Sequence, residues 1–220
     1  GFVLCQSFRY FPKGTIHVVV VDPGVGSERR PLAVEALGHR FIGPDNGVFS
    51  MLFREAASAS AGRLPYKARE ITNRRLGLST LSSTFHGRDL FAPAAAHLAA
   101  RAAFSMLGPL IDDALRQDWD LPIRTGKRFW QGAVFKADRF GNLITNLRCE
   151  DFPLATDAFE LQAGLERIRT VRPHFAASAP GELFLLAGSS GYWEIAANQT
   201  SAAQMLGLTG GSPVELAILG

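Results

Sequence analysis

Cysteine is nearly absent from this 220-residue chain: Cys5 and Cys149 are the full complement, and their spacing matches neither a metal knuckle nor a redox pair. That excludes a disulfide-stapled scaffold and fits a reduced, cytoplasmic setting. Long apolar runs are missing as well. The most apolar stretch, residues 91–111, is alanine-rich and interrupted by His97 and Arg101, short of the ~20 clean apolar residues of a membrane span. No membrane partner is expected. No charged segment followed by an apolar one opens the chain, which argues against a signal peptide. Charge of one sign is scarce, with 23 Lys plus Arg against 20 Asp plus Glu, and the basic residues are scattered. A nucleic-acid partner needs clustered cations and is not expected. A dinucleotide fingerprint, a phosphate loop, an HExxH and a Cys/His zinc spacing are all lacking, so neither metal nor cofactor is expected. An initiator Met is lacking too, and the chain opens inside the apolar run Gly1-Phe2-Val3-Leu4-Cys5, as a fragment would.

What is present is enough apolar residue, 47% against 20% charged, for a sizeable core. Residues 15–21, TIHVVVV, form a β-branched run ending at Asp22-Pro23-Gly24. Such a run predicts a central strand buried on both faces of a parallel or mixed sheet. Residues 31–37 and 39–42 predict two further strands split by Gly38. GPDNG at 43–47 predicts a turn, residues 48–57 a helix, and the stretch from about Asp89 to 107 a long helix. Beyond an acidic, Pro-containing connection the texture changes, and a join near Gly126 is predicted. Short strand-like runs follow at 132–137, 143–147, 158–162, 169–175, 183–187, 192–197 and 214–219, the spacing of a small barrel or sandwich. The expectation is an α/β N-terminal domain over 1–125, with a central mixed sheet flanked by helices, and a small all-β, barrel-like C-terminal domain over 126–220.

Five polar, Gly-punctuated clusters end these apolar runs: VVDPGVGSERR (20–30), GPDNG (43–47), STFHGRD (83–89), DRFGNLITN (138–146) and GSSGYWEIAANQ (188–199). Ligands of open α/β sheets sit beyond the carboxyl ends of strands, where Asp22 is expected. Each cluster alone reads equally as a turn, and Asp89 as a helix cap or the partner of Arg88. His97 reads as helix packing, while His17, His39 and His174 have no motif around them.

Together, in this order and spacing, the clusters resemble the adenosine-forming S-adenosylmethionine (SAM) hydrolases, also called SAM hydroxide adenosyltransferases, which are relatives of the fluorinase and chlorinase enzymes. The resemblance runs through nearly the whole chain, and it implies an upstream strand with a Thr-Asp-Phe-Gly segment that this sequence lacks. It further implies displacement of methionine from the ribose 5′ carbon of SAM by water or hydroxide, giving adenosine and L-methionine. The family's Asp-Arg-His set falls on Asp22, Arg29 and His86, although Arg30 is an equally good neighbour by composition. Substrate contacts fall by resemblance on Asp138, Phe140 and Asn142 of DRFGN, and on Ser189, Ser190 and Glu194. Backbone groups of Ala197 and Gln199 are assigned to the adenine edge. A homotrimer is implied. Where the halogenating relatives carry a Tyr, this chain has Asp22, which favours hydrolysis; a non-catalytic adenosine- or SAM-binding protein is the alternative from another class.

Overall fold

The computed structural model describes residues 1–60, 65–78 and 80–219. By its internal contacts the chain divides into Gly1–Asp118 and Trp119–Gly220. The sequence placed the join near Gly126; the division falls earlier because the strand Ile123–Arg124 pairs with Phe129–Ala137 and so belongs to the second unit.

In the first unit five strands form a mixed sheet: β1 (Ile16–Val18), β2 (Pro31–Ala36), β3 (His39–Pro44), β4 (Tyr66–Glu70) and β5 (Leu110–Ile111), in the order β1-β3-β2-β4-β5. β1 lies parallel to β3, and the other pairings are antiparallel. Alternate residues of a strand face opposite ways, and both faces here are apolar. Phe41 meets the Phe49 ring beside helix α2 (Ser50–Ala59), preceded by the short α1 (Phe2–Ser7). Its neighbour Ile42, with Ala33, packs among Ala94, Leu98 and Phe91 on the side of helix α3 (Ala92–Ala99). Helices therefore cover both faces of the sheet.

Two expectations are corrected in this unit. The run 15–21 is not central: among the described residues β1 is an edge strand pairing with β3 alone, and Val18, Val20 and Val21 are exposed. β-branching encodes extended backbone, but it does not encode the number of neighbours. The long helix is shorter than predicted, a π turn over Gly87–Phe91 leading into α3, which stops before Arg101 at φ 67°.

The second unit is antiparallel throughout its strand pairs: β6 (Ile123–Arg124), β7 (Phe129–Ala137), β8 (Leu143–Arg148), β9 (Phe159–Ala163), β10 (Glu166–Ile168), β11 (Leu183–Ala187), β12 (Tyr192–Ala197) and β13 (Pro213–Ile218). The order β10-β9-β13-β7-β8-β12-β11 nearly closes into the expected barrel, with β6 beside β7. Residues 169–175 are not the predicted strand. They run from β10 to β11 with a single bridge, Val171 to Leu185, which bonds across the seam of the ring. The strand before them is the return arm of a tight hairpin with β9, turning at Gly164, φ 63°. The core holds Leu143, Leu147, Phe159, Leu161, Leu185, Ile195 and Leu216, each at most 1% exposed. A short helix, α4 (Ala202–Leu206), is capped by the Ser201 hydroxyl, which accepts the Gln204 amide at 3.1 Å.

His17 and His39, which carried no motif, form a pair between β1 and β3: Nε2 of one lies 3.2 Å from Nδ1 of the other. Rings of Phe8, Phe11 and Phe41 enclose them. Burial lowers the pKa of both, with His39 adding to the effect on His17 and Lys13 to that on His39. Depressed folded-state values mean that the unfolded chain takes up protons first, below about pH 6.5. Stability is therefore full above that pH and falls as the pH drops through the window down to the folded-state values. Urea midpoints should decline from about pH 7 to pH 5, and His17→Gln should flatten the decline; a midpoint that stays level in the wild type excludes the effect.

Candidate active site

β1 and its extension run alongside β3 as far as Val19, whose amide donates to Ile42 O at 2.8 Å. The chain then leaves the sheet in two successive turns, Val25 N to Asp22 O at 3.1 Å and Ser27 N to Gly24 O at 3.1 Å. These turns fold Arg29 back onto Asp22. Arg29 Nε donates to Asp22 Oδ1 at 3.0 Å, and Nη2 donates to Oδ2, a two-pronged pair. The same Nη2 lies 2.7 Å from His86 Nδ1. The pair is sheltered, with side-chain exposures of 8% for Arg29 and 5% for Asp22, and the Phe91 ring stacks 5.4 Å from the guanidinium carbon.

A guanidinium has donors and no acceptor. His86 Nδ1 must therefore accept from Arg29, which puts the ring proton of the neutral imidazole on Nε2. The geometry also separates the two neighbouring arginines. Arg30 turns away to Asp45, at 3.1 and 2.8 Å, and to Asp113, at 2.8 Å.

GPDNG, which the sequence offered as a turn, anchors both ends of the Asp22–Arg29 loop. Asn46 Nδ2 donates to Val21 O at 2.9 Å, next to Asp22, and Asp45 grips Arg30, next to Arg29. Asp45 Oδ1 also accepts the Leu115 amide at 2.8 Å. Two glycines permit the loop carrying His86 to reach the one carrying Arg29. A Cβ on Gly26, φ +81°, would lie 2.6 Å from Ser83 O, and one on Gly87 would lie 2.9 Å from Val20 Cγ1. Neither close approach was legible in the sequence.

In the second unit DRFGN is a closed turn. Asp138 Oδ1 accepts the amides of Phe140 at 2.8 Å and Asn142 at 2.9 Å, and Oδ2 accepts Asn142 Nδ2 at 3.0 Å. Gly141, φ +87°, completes it and packs beneath Ser201, where a Cβ would meet Ser201 Oγ at 2.0 Å. The turn thereby holds Phe140, 68% exposed, at the mouth of a cavity of about 590 Å³ lined by Phe140, Asn142, Phe175, Ala197, Asn198, Gln199, Thr200 and Ser201. Four of the residues expected from the sequence meet there: Phe140, Asn142, Ala197 and Gln199. Phe175 was missed because it was read as the end of a strand, and Thr200 and Ser201 because they lie just beyond the last of the five clusters, which ends at Gln199.

Asp138, Ser189, Ser190 and Glu194 are not among the residues lining that cavity. Glu194, on β12, lies against Gly188, where a Cβ would meet its Oε1 at 2.1 Å. Burial and then the like charge of Asp138 push its carboxyl above the usual range, with Lys136 opposing. Burial, and then Glu194, likewise push the Cys149 thiol up. Ser189 is exposed and Ser190 half-buried at the tip of the β11–β12 turn. Among the described residues no group of three or more His, Cys, Asp and Glu could hold a metal ion, and no helix is long and apolar enough to cross a membrane.

Gly26→Ala should cost about 1 kcal/mol or more in urea denaturation, because strain at positive φ adds to the contact with Ser83. Gly181, φ +77° with nothing within 4 Å of an added Cβ, is the matched control, since Gly181→Ala carries the backbone strain alone. Equal losses in the two variants would mean that the contact with Ser83 is unimportant.

The arrangement belongs to a recognisable lineage. Residues 1–108 match the family model of the SAM hydroxide adenosyltransferase N-terminal domain, and residues 132–215 match that of its C-terminal domain. The chain is 38% identical over 219 residues to the (R)-S-adenosyl-L-methionine hydrolase of Salinispora tropica, covering 97% of this chain and 78% of that one. It is 37% identical over 217 residues to the enzyme of the same name from Thermus thermophilus, covering 98% and 81%. The crystal structure of an uncharacterized conserved protein from Thermotoga maritima superposes with a TM-score of 0.81 at 30% identity, covering 98% of this chain and 81% of that one. With both domain models matched in order along one chain and relatives aligned to nearly all of it, this protein belongs to the SAM hydroxide adenosyltransferase family.

Proposed function

We propose that the protein hydrolyses S-adenosyl-L-methionine to adenosine and L-methionine. The oxygen of water bonds to the ribose 5′ carbon, the bond from that carbon to sulfur breaks with its electron pair passing to sulfur, and a water proton is released. The leaving group is a neutral thioether, so no acid is needed to expel it and no cofactor is called for. Positioning of the water and acceptance of its proton are the remaining tasks.

The observation that carries this reading is the single Arg29 guanidinium bound to Asp22 and to His86 Nδ1 at once. It divides the labour between the two partners. His86, with its proton on Nε2, donates to the oxygen of the attacking water and orients it. Asp22 spends one lone pair of each oxygen on Arg29 and retains others, so it is the group placed to take the water proton. In the second unit, the exposed Phe140 ring offers a stacking face for adenine, with Asn142 and the backbone of Ala197 and Gln199 as polar contacts. Asp138, Ser189, Ser190 and Glu194 are assigned to the ribose and methionine ends of the substrate. The protein is placed in the cytoplasm as a homotrimer. Cys5 and Cys149 form no disulfide, which accords with the former, and the latter, which rests on the resemblance, is testable by light scattering.

Asp22→Asn keeps the size of the side chain and removes the proton acceptor, so adenosine release, followed by chromatography in halide-free buffer, should fall about 10² to 10⁴-fold. Asp22→Asn/His86→Ala should be scarcely worse than either single variant, as expected of groups that act as a unit. Turnover close to wild type in Asp22→Asn would remove this mechanism. Phe140→Ala should weaken adenosine binding in calorimetry by about 5 to 150-fold, the loss of about 1–3 kcal/mol of base stacking. An unchanged affinity would take adenine away from this cavity.

A further inference from the structure

Asp89 is 1% exposed, yet it is a carboxylate three residues beyond His86, in the π turn that His86 opens. A buried carboxylate needs donors, and the donors it has define the loop. Asp89 Oδ2 accepts the Ser82 amide at 2.8 Å. The Asp89 backbone closes the same loop twice more: its amide donates to Phe85 O at 2.9 Å and its carbonyl accepts the Leu78 amide at 2.9 Å. Ser82 in turn accepts the Thr84 amide on its hydroxyl at 3.2 Å. The segment bearing His86 is thus pinned at Leu78, Ser82 and Phe85 by one residue. Arg88 supplies the remaining contacts, Nε at 2.5 Å and Nη2 at 3.1 Å, but its side chain is 64% exposed and its guanidinium also lies over the Phe85 ring.

We propose that Asp89 is a positioning residue for the hydrolysis: through the Ser82 amide it holds the 82–87 segment so that His86 Nδ1 meets Arg29 and Nε2 keeps the proton. The proposal rests on the functional reading of His86 given above. Asp89 forms no ion pair with Arg29; its carboxylate is electrostatically favourable to His86, and its bonds to the loop pass through the Ser82 amide and its own backbone. The acceptor at the Ser82 amide therefore matters more than the charge, and the length of the side chain matters because it sets where that acceptor lies.

Four variants separate these features. Asp89→Ala removes the acceptor, and kcat should fall about 10 to 100-fold, the range for a misplacement of about 1 Å, with KM for SAM within about threefold. Asp89→Asn keeps an oxygen for the Ser82 amide and should restore kcat to within about threefold of wild type. Asp89→Glu keeps the charge but overshoots the amide, and should lose activity as Asp89→Ala does; it also serves if Asp89→Ala fails to fold. Arg88→Gln should stay near wild type. The second readout is the ¹⁵N spectrum of the His86 ring, which should show one tautomer, protonated on Nε2, in wild type and Asp89→Asn, and an averaged pattern in Asp89→Glu and Asp89→Ala. A wild-type protein that does not hydrolyse SAM would sink the functional reading while leaving the ring spectrum to decide the role of Asp89. Folded Asp89→Ala or Asp89→Glu with an unchanged ring spectrum overturns the proposal, as does an Asp89→Asn that is no better than Asp89→Ala.

Discussion

One guanidinium is shared between a carboxylate and an imidazole, and the first unit is arranged around that sharing. Arg29 carries an unconditional charge into a sheltered position, and Asp22 neutralises it in a two-pronged pair. Desolvating two charges can offset the attraction between them, so such a pair is weak evidence of stabilisation and better evidence of a task. The task follows from what Arg29 does with its second bond. By donating to His86 Nδ1 it fixes which ring nitrogen is bare, a choice that imidazole left alone makes freely.

The scaffolding of that site consists of turns whose polar side chains are spent on backbone and side-chain groups of the loops themselves. Asn46 and Asp45 tie down the residues on either side of the Asp22–Arg29 loop. Asp89 closes the His86 loop on itself. In the second unit Asp138 accepts three bonds within its own turn and so presents Phe140 to solvent. In each case the reading as a turn former and the reading as a site residue describe the same atoms, because rigid loops are what hold reactive side chains in register.

Local pattern along the chain sufficed for its two textures and for most of their elements. Alternation and β-branching located β2, β3, β7, β8, β11 and β12 to within a few residues, because side-chain period and turn chemistry are local properties. Five motifs in order were enough to bring Asp22, Arg29 and His86 to notice, although composition alone could not choose between Arg29 and Arg30. The spacing of the resembled family prefers Arg29, and the tertiary structure gives the physical reason the two differ. Arg29 folds back onto Asp22, while Arg30 is drawn away by Asp45 and Asp113, 15 and 83 residues along the chain. The tertiary structure also placed β1 at an edge among the described residues, turned 169–175 into the seam of a barrel, and brought Ser83 onto Gly26. The number of strand neighbours, the partner of a charge and the space above a glycine are all set by residues distant in sequence, so no window along the chain contains them.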